Sequence, residues 1–263
     1  MRRVCSLFVF VFLLVGCSDA SDEGMRAFEE KNYGKAAELL TPLAEAGNPD
    51  AQFIVGYMHA NGKGVPANGQ QAAIWYLEAA KQGHLAAQLN LGNAFRDGRG
   101  IPADDRLAVE WYRRAADKGY SAAQSALGLM YANGRGIAQD NQQALFWYLK
   151  AAQQGESIAQ YNVGNIYFSG RSVPKDDAEA VKWWLKAAEQ GMAEAQNNVG
   201  IMYANGWGVP KNDLQAYFWW LLAGAAGDAE ALRGRAHMET VLSAEQRASV
   251  QAMARDWAPE GGD

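Results

Sequence analysis

A 36-residue period governs this chain, and few folds can accommodate one. Ala-Gln stands at Ala51-Gln52, Ala87-Gln88, Ala123-Gln124, Ala159-Gln160 and Ala195-Gln196. Four residues after each glutamine comes a glycine: Gly56, Gly92, Gly128, Gly164 and Gly200. Three further series keep the same step. They are Ala36, Ala72, Ala108, Ala144, Ala180 and Ala216; Trp75, Trp111, Trp147, Trp183 and Trp219, each followed by Tyr or Trp; and Gly47, Gly83, Gly119, Gly155, Gly191 and Gly227. Registers held in phase over this length are the signature of stacked structural repeats.

Each repeat reads as two antiparallel helices. The first, such as residues 86–97, contains only one glycine, which lets a neighbouring helix come close. It ends in a loop of the type Asp97-Gly98-Arg99-Gly100. The second opens behind Asn68, Asp104, Asp140, Asp176 or Asn212, side chains suited to N-capping. It closes at a glycine placed as a left-handed C′ residue. Within it Ala72, Trp75, Tyr76, Ala79 and Ala80 fall at helical spacing, so aromatic knobs and alanine holes share a face. One pair cannot bury that face, whereas stacked pairs can. The predicted fold is therefore all-α, a right-handed α-solenoid of antiparallel helix pairs. Residues 22–49 form a divergent opening pair, 50–227 five repeats, 228–257 the capping helices and 258–263 a disordered tail. The last helix opens on Ser243, with Gln246 at the capping-box position.

Ahead of the array, Arg2 and Arg3 precede an apolar run, Val4 to Val15, which has the length of a signal-peptide core and is too short to span a bilayer. The run ends in Leu14-Val15-Gly16-Cys17, which resembles a bacterial lipobox; the alternative is an ordinary secretory signal with an incidental cysteine. On the lipobox reading residues 1–16 are a leader, Cys17 carries lipid, and residues 17–21 are a short linker. Membrane attachment is then through the N-terminal lipid only. Ser18 points to an outer-membrane lipoprotein facing the periplasm. Cys5 leaves with the leader and Cys17 is acylated, so no disulfide is expected.

Several chemistries are disfavoured. The chain has 24 Lys and Arg against 29 Asp and Glu, and Arg2 and Arg3 leave with the leader, which argues against nucleic acid. His59, His84 and His237 lack the spacing of a zinc pair. The Gly-x-Gly loops follow helices rather than strands, which makes them turns rather than phosphate cradles. No Gly-x-Ser-x-Gly or Ser-x-x-Lys stands out. No catalytic residue, metal or cofactor is expected. Of nine tryptophans, seven belong to the packing ladder and Trp257 to the cap. Trp207, in a loop, is a candidate contact residue.

These residues resemble the Sel-one-like repeat (SLR) family, a branch of the tetratricopeptide-type helical repeats. Its pattern of Ala-Gln, Leu-Gly, an aromatic, Gly-x-Gly-Val, Asp, Ala, Trp-Tyr, Ala-Ala and Gly fits residues 50–227 at nearly every position. His59 replaces the aromatic, Ser172 a loop glycine and Ala138 a loop proline. The resemblance implies an adaptor or scaffold, often in bacterial envelopes. A cysteine-rich branch linked to β-lactam binding or hydrolysis does not extend to this chain, which lacks those cysteines.

By similarity to tetratricopeptide arrays, the first helix of each pair would line a concave groove. Positions one, five and eight after each glutamine would face it: Phe53, Tyr57 and Ala60; Leu89, Asn93 and Arg96; Ser125, Leu129 and Ala132; Tyr161, Asn165 and Phe168; Asn197, Ile201 and Ala204. Asn90, Asn162 and Asn198 stand two before the glycine. An amide can donate to and accept from one peptide unit, so such a row can hold an extended protein or peptide segment, with aromatics as pockets. None of these asparagines belongs to the repeating series, which makes them dispensable for stacking. They could equally face solvent or bond within their helix. A glycan or exopolysaccharide partner is the alternative to a protein.

Overall fold

The computed structural model describes residues 20–171 and 173–259. The expected leader, Cys17, Ser172 and residues 260–263 of the tail lie outside the described residues. All regular structure among the described residues is helical. Residues 20–29 form α1, which already includes two positions that the sequence reading gave to a linker. Then follow α2 (Tyr33–Glu45), α3 (Pro49–Asn61), α4 (Gly69–Lys81), α5 (Leu85–Asp97), α6 (Asp105–Asp117) and α7 (Ser121–Asn133). The series continues with α8 (Asn141–Ala152), α9 (Ser157–Ser169), α10 (Asp177–Glu189), α11 (Ala193–Asn205), α12 (Asp213–Ala225), α13 (Ala229–Val241) and α14 (Ala244–Asp256).

The chain forms two compact units. One holds Met1–Ala123 with Gly134–Ala138, the other Gln124–Asn133 with Gln139–Asp263. In the first, α2 to α6 pack consecutively. Its core runs through Ala36, Leu40, Ala51, Val55 and Met58, then Tyr76, Ala79, Leu91 and Trp111. In the second, α8 to α13 pack consecutively, and α14 returns onto α12. Its core gathers Val181, Trp184, Val199 and Trp219, then Tyr217, Trp220, Met238 and Val250.

The termini form as their residues dictate. Asn68, Asp104, Asp140, Asp176 and Asn212 each accept a first-turn backbone N–H, and Ser243 and Gln246 form the reciprocal box. In the loops, the second glycine of Gly-x-Gly meets a stricter demand than the turn itself. Gly100 has φ +77°, and a Cβ there would lie 2.0 Å from the backbone of Gly69, where α4 begins. Gly136 and Gly208 press in the same way on Asp105 and Asp177. The loop of one pair thus seats on the second helix of the pair before it.

The Ala-Gln signature has its own explanation. The last carbonyls of a helix lack intrahelical partners. Gln52, Gln88, Gln160 and Gln196 each donate Nε2 to such a carbonyl eight residues back, on Ala44, Ala80, Ala152 and Ala188, at 3.1 to 3.2 Å. The Oε1 of Gln52, Gln124 and Gln160 in turn accepts from Gln82, Gln154 and Gln190, thirty residues on, at 2.7 to 2.8 Å. Gln88 lacks that second partner because Lys118 occupies the position, and its buried Oε1 is left unbonded. Lys118→Gln should therefore stabilise the fold by about 0.5–1.5 kcal/mol, one restored hydrogen bond. A urea midpoint that fails to rise would contradict this account of the ladder.

Candidate functional site

The side chains that vary between repeats meet at equivalent pockets, one within each unit. In the first unit a cavity of about 220 Å³ is lined by Tyr57, Ala60, Tyr76, Asn90, Asn93 and Arg99, among others. In the second unit a cavity of about 300 Å³ is lined by Leu129, Ala132, Tyr148, Asn162, Asn165 and Arg171. Each residue of the second set stands two periods after its counterpart. Tyr76 and Tyr148 come from a second helix, the asparagines from the first helix of the next pair, and the arginine from the loop that follows. No Asp or Glu lines either cavity.

The tyrosines are deeply set. Burial pushes Tyr76 up to about 12, a shift that its bond with Asn90 opposes, and it moves Tyr148 in the same direction. Both phenols are therefore neutral near pH 7 and can donate a hydrogen bond to a ligand. Tyr148 forms no side-chain hydrogen bond among the described residues.

The asparagine row is more engaged than its sequence pattern implies. Tyr112 donates its hydroxyl to Asn93 Oδ1 at 2.7 Å. The Trp184 indole donates to Asn165 Oδ1 at 3.1 Å and to the Tyr161 carbonyl at 3.2 Å. Trp220 donates to Asn197 Oδ1 at 3.0 Å, while Asn197 Nδ2 donates to Glu230 at 3.3 Å. The expectation that the amides stand apart from stacking fails at Asn93, Asn165 and Asn197: their carbonyl ends hold the second aromatic of their own helix pair. Asn197, 4% exposed and bonded at both ends, is a packing residue. Only the Oδ1 ends of Asn93 and Asn165 are bonded among the described residues. Asn90, Asn162 and Asn198 are half-buried.

The other candidates divide similarly. Phe53 stacks on His84, ring centroids 4.6 Å apart, and His84 Nδ1 accepts the Ala87 N–H as the cap of α5. Burial, opposed by Asp50, lowers the His84 pKa. The Tyr57 hydroxyl accepts from Lys63 Nζ at 3.2 Å. Tyr161 and Phe168 pack on the second-unit core. Leu89 is half-buried on α5. Arg96 is held by both carboxylate oxygens of Asp97, at 2.7 and 3.1 Å, so the single base read onto the groove is already paired. The cations that do line the pockets, Arg99 and Arg171, stand in loops and so fall outside the helical offsets that pick out groove positions. The signal was present: the middle residue of Gly-x-Gly or its equivalent is Lys63, Arg99, Arg135 and Arg171 in four of the five loops. Trp207 takes that place in the fifth; it is 45% exposed, its ring 6.4 Å from Phe168.

Among the described residues no cluster of three His, Cys, Asp or Glu side chains could hold a metal, and no helix is long and apolar enough to cross a membrane. The family model for the Sel1 repeat matches six successive segments: residues 22–48, 49–84, 85–120, 121–156, 157–192 and 193–228. The opening pair thus joins the five repeats in one series. No curated protein matches. Among solved structures, the chain is similar to a Sel1 repeat protein from Oxalobacter formigenes, at 30% identity and TM-score 0.77, over 93% of this chain and 99% of that one. It is also similar to c5321, a protective antigen of uropathogenic Escherichia coli strains displaying an SLR fold. Identity there is 27% and TM-score 0.60, over 92% of this chain and 60% of that one.

Proposed function

The chain belongs to the Sel1 repeat family, and from that premise we propose that it is an envelope-anchored scaffold holding an extended segment of a partner protein along its first helices. Arrays of this family serve protein–protein contact. The observation that carries the reading is the recurrence of one polar pocket at the same register in both units. Positions fixed in every repeat are consumed by stacking, whereas the pocket positions alternate apolar walls with amide and guanidinium donors. Such a surface suits a peptide, whose backbone offers a carbonyl and an N–H at each step. A glycan platform would call for exposed aromatic faces, and the pocket tyrosines Tyr76 and Tyr148 are buried. The resemblance of Leu14-Val15-Gly16-Cys17 to a lipobox supports anchoring through Cys17.

In-cell photocrosslinking from position 129, in the parent and in Cys17→Ser, tests both parts. The parent should yield a discrete protein adduct in the membrane fraction and should label with a palmitate analogue. Cys17→Ser should lose the label and leave the precursor uncleaved. Crosslinks to polysaccharide alone would overturn the protein-scaffold reading, and unchanged labelling would overturn the anchor.

A further inference from the structure

The two pockets are equivalent in sequence but not in the state of their donors. The loop cation shows this by register. Lys63 lies over the rings of Tyr33 and Tyr57, at 5.0 and 5.1 Å. Arg99 pairs with Asp97 at 3.2 Å. Arg135 is gripped by both oxygens of Asp105, at 3.0 and 2.7 Å. Arg171 has no ion-pair partner among the described residues, because Asn141 stands one period after Asp105. Tyr148 repeats the contrast. Tyr112 donates to Asn93, but one period after Asn93 the sequence has Leu129. Tyr148, 2% exposed, therefore lines the second-unit pocket with its hydroxyl unclaimed by any side chain. Asn162 and Asn165 line the same cavity.

We propose that this second-unit pocket is a carboxylate site, in which Arg171, the Tyr148 hydroxyl and the amides of Asn162 and Asn165 receive one carboxylate of the partner segment. This rests on the scaffold reading above and supplies the chemical class that the partner must present there. An unpaired cation and a buried phenol that line one cavity, with no acid in the lining, are matched by an anion. One guanidinium neutralises one carboxylate, and its planar fork fits two carboxylate oxygens. A phosphate group, carrying nearly two charges, would leave one uncompensated. The carboxylate belongs either to a free C-terminus of the partner or to one of its Asp or Glu residues.

The test titrates three tripeptides onto the 15N-labelled full-length protein: acetyl-Ala-Ala-Ala with a free carboxylate, its C-terminal amide, and acetyl-Ala-Glu-Ala amide. At least one of the two acidic peptides should shift the Asn162 and Asn165 side-chain amides and the Arg171 Nε–H, and which one does so identifies the source. The neutral peptide should not. Arg171→Gln should weaken that binding about tenfold or more, and Tyr148→Phe about threefold. Equal shifts from the neutral peptide, indifference to Arg171→Gln, or shifts from inorganic phosphate alone would overturn the carboxylate site. Silence from all three peptides would overturn it too. The scaffold reading would still stand or fall separately on the crosslink from position 129.

Discussion

Trp147→Ala should cost about 3–5 kcal/mol, the usual range for removing a buried aromatic. Trp147 is 5% exposed, with Phe146 edge-on at 5.1 Å and Lys150 Nζ 5.1 Å from its ring centroid. Its indole N–H has no hydrogen-bond partner. The loss should therefore be one of packing, and Trp147→Phe should recover more than half of it. Because neighbouring helices carry the contacts, amide exchange should accelerate around residues 141–169 and fade with distance along the array. A denaturation midpoint unmoved by Trp147→Ala would show that the tryptophan ladder is not core. Equal losses from Ala and Phe would show that the indole nitrogen matters after all.

Gly164→Ala should be the more revealing substitution, because its sign should depend on a residue twenty positions away. In the parent, a Cβ at Gly164 would lie 2.5 Å from Cδ1 and 2.6 Å from Nε1 of Trp184. The ring is buried and rigid. It would have to swing off Asn165 and Tyr161, so the cost should reach about 3 kcal/mol, the upper range for overpacking. In a Trp184→Ala background the clash is gone, and the same change should stabilise by up to about 1 kcal/mol through helix propensity. A double-mutant cycle in urea reads the reversal directly. Equal destabilisation in both backgrounds would mean that the glycine is needed for its backbone and not for the space above it.

The sequence reading succeeded where one residue's chemistry decides the outcome within a few positions. Asp104 caps α6 because a carboxylate before a helix has first-turn N–H groups within reach, and Gly83 ends the α4 turn because φ there is +91°. It also placed Gly164 in a close helix approach. It could not name Trp184 as the neighbour, since that contact depends on how two helices rotate against each other. The Ala-Gln series gave the register, yet its purpose stayed hidden because the Gln160 bond to Ala152 crosses a turn. The groove residues were less legible for the same reason. Asn165 and Asn162 look alike in sequence, and only the position of the Trp184 indole shows that Asn165 is committed at its carbonyl end. Arg171 was not read as a site residue because a helical wheel carries no information about a loop folding back beside it.

The glutamine ladder bears on how an array of this kind can change length. Every partner of Gln160 lies at a fixed offset, eight residues back at Ala152 and thirty on at Gln190. Excising or duplicating one full 36-residue block supplies each glutamine with an equivalent carbonyl and an equivalent amide, provided that the incoming block carries them. An indel of any other size across Gly155 or within α9 and α10 detaches a buried amide from its partner. Growth by whole blocks is thus the inexpensive route, while a block bearing a lysine where Gln190 stands, as at Lys118, leaves one weak rung. Pockets travel with the blocks, so duplication multiplies binding positions before any of them has to be specialised.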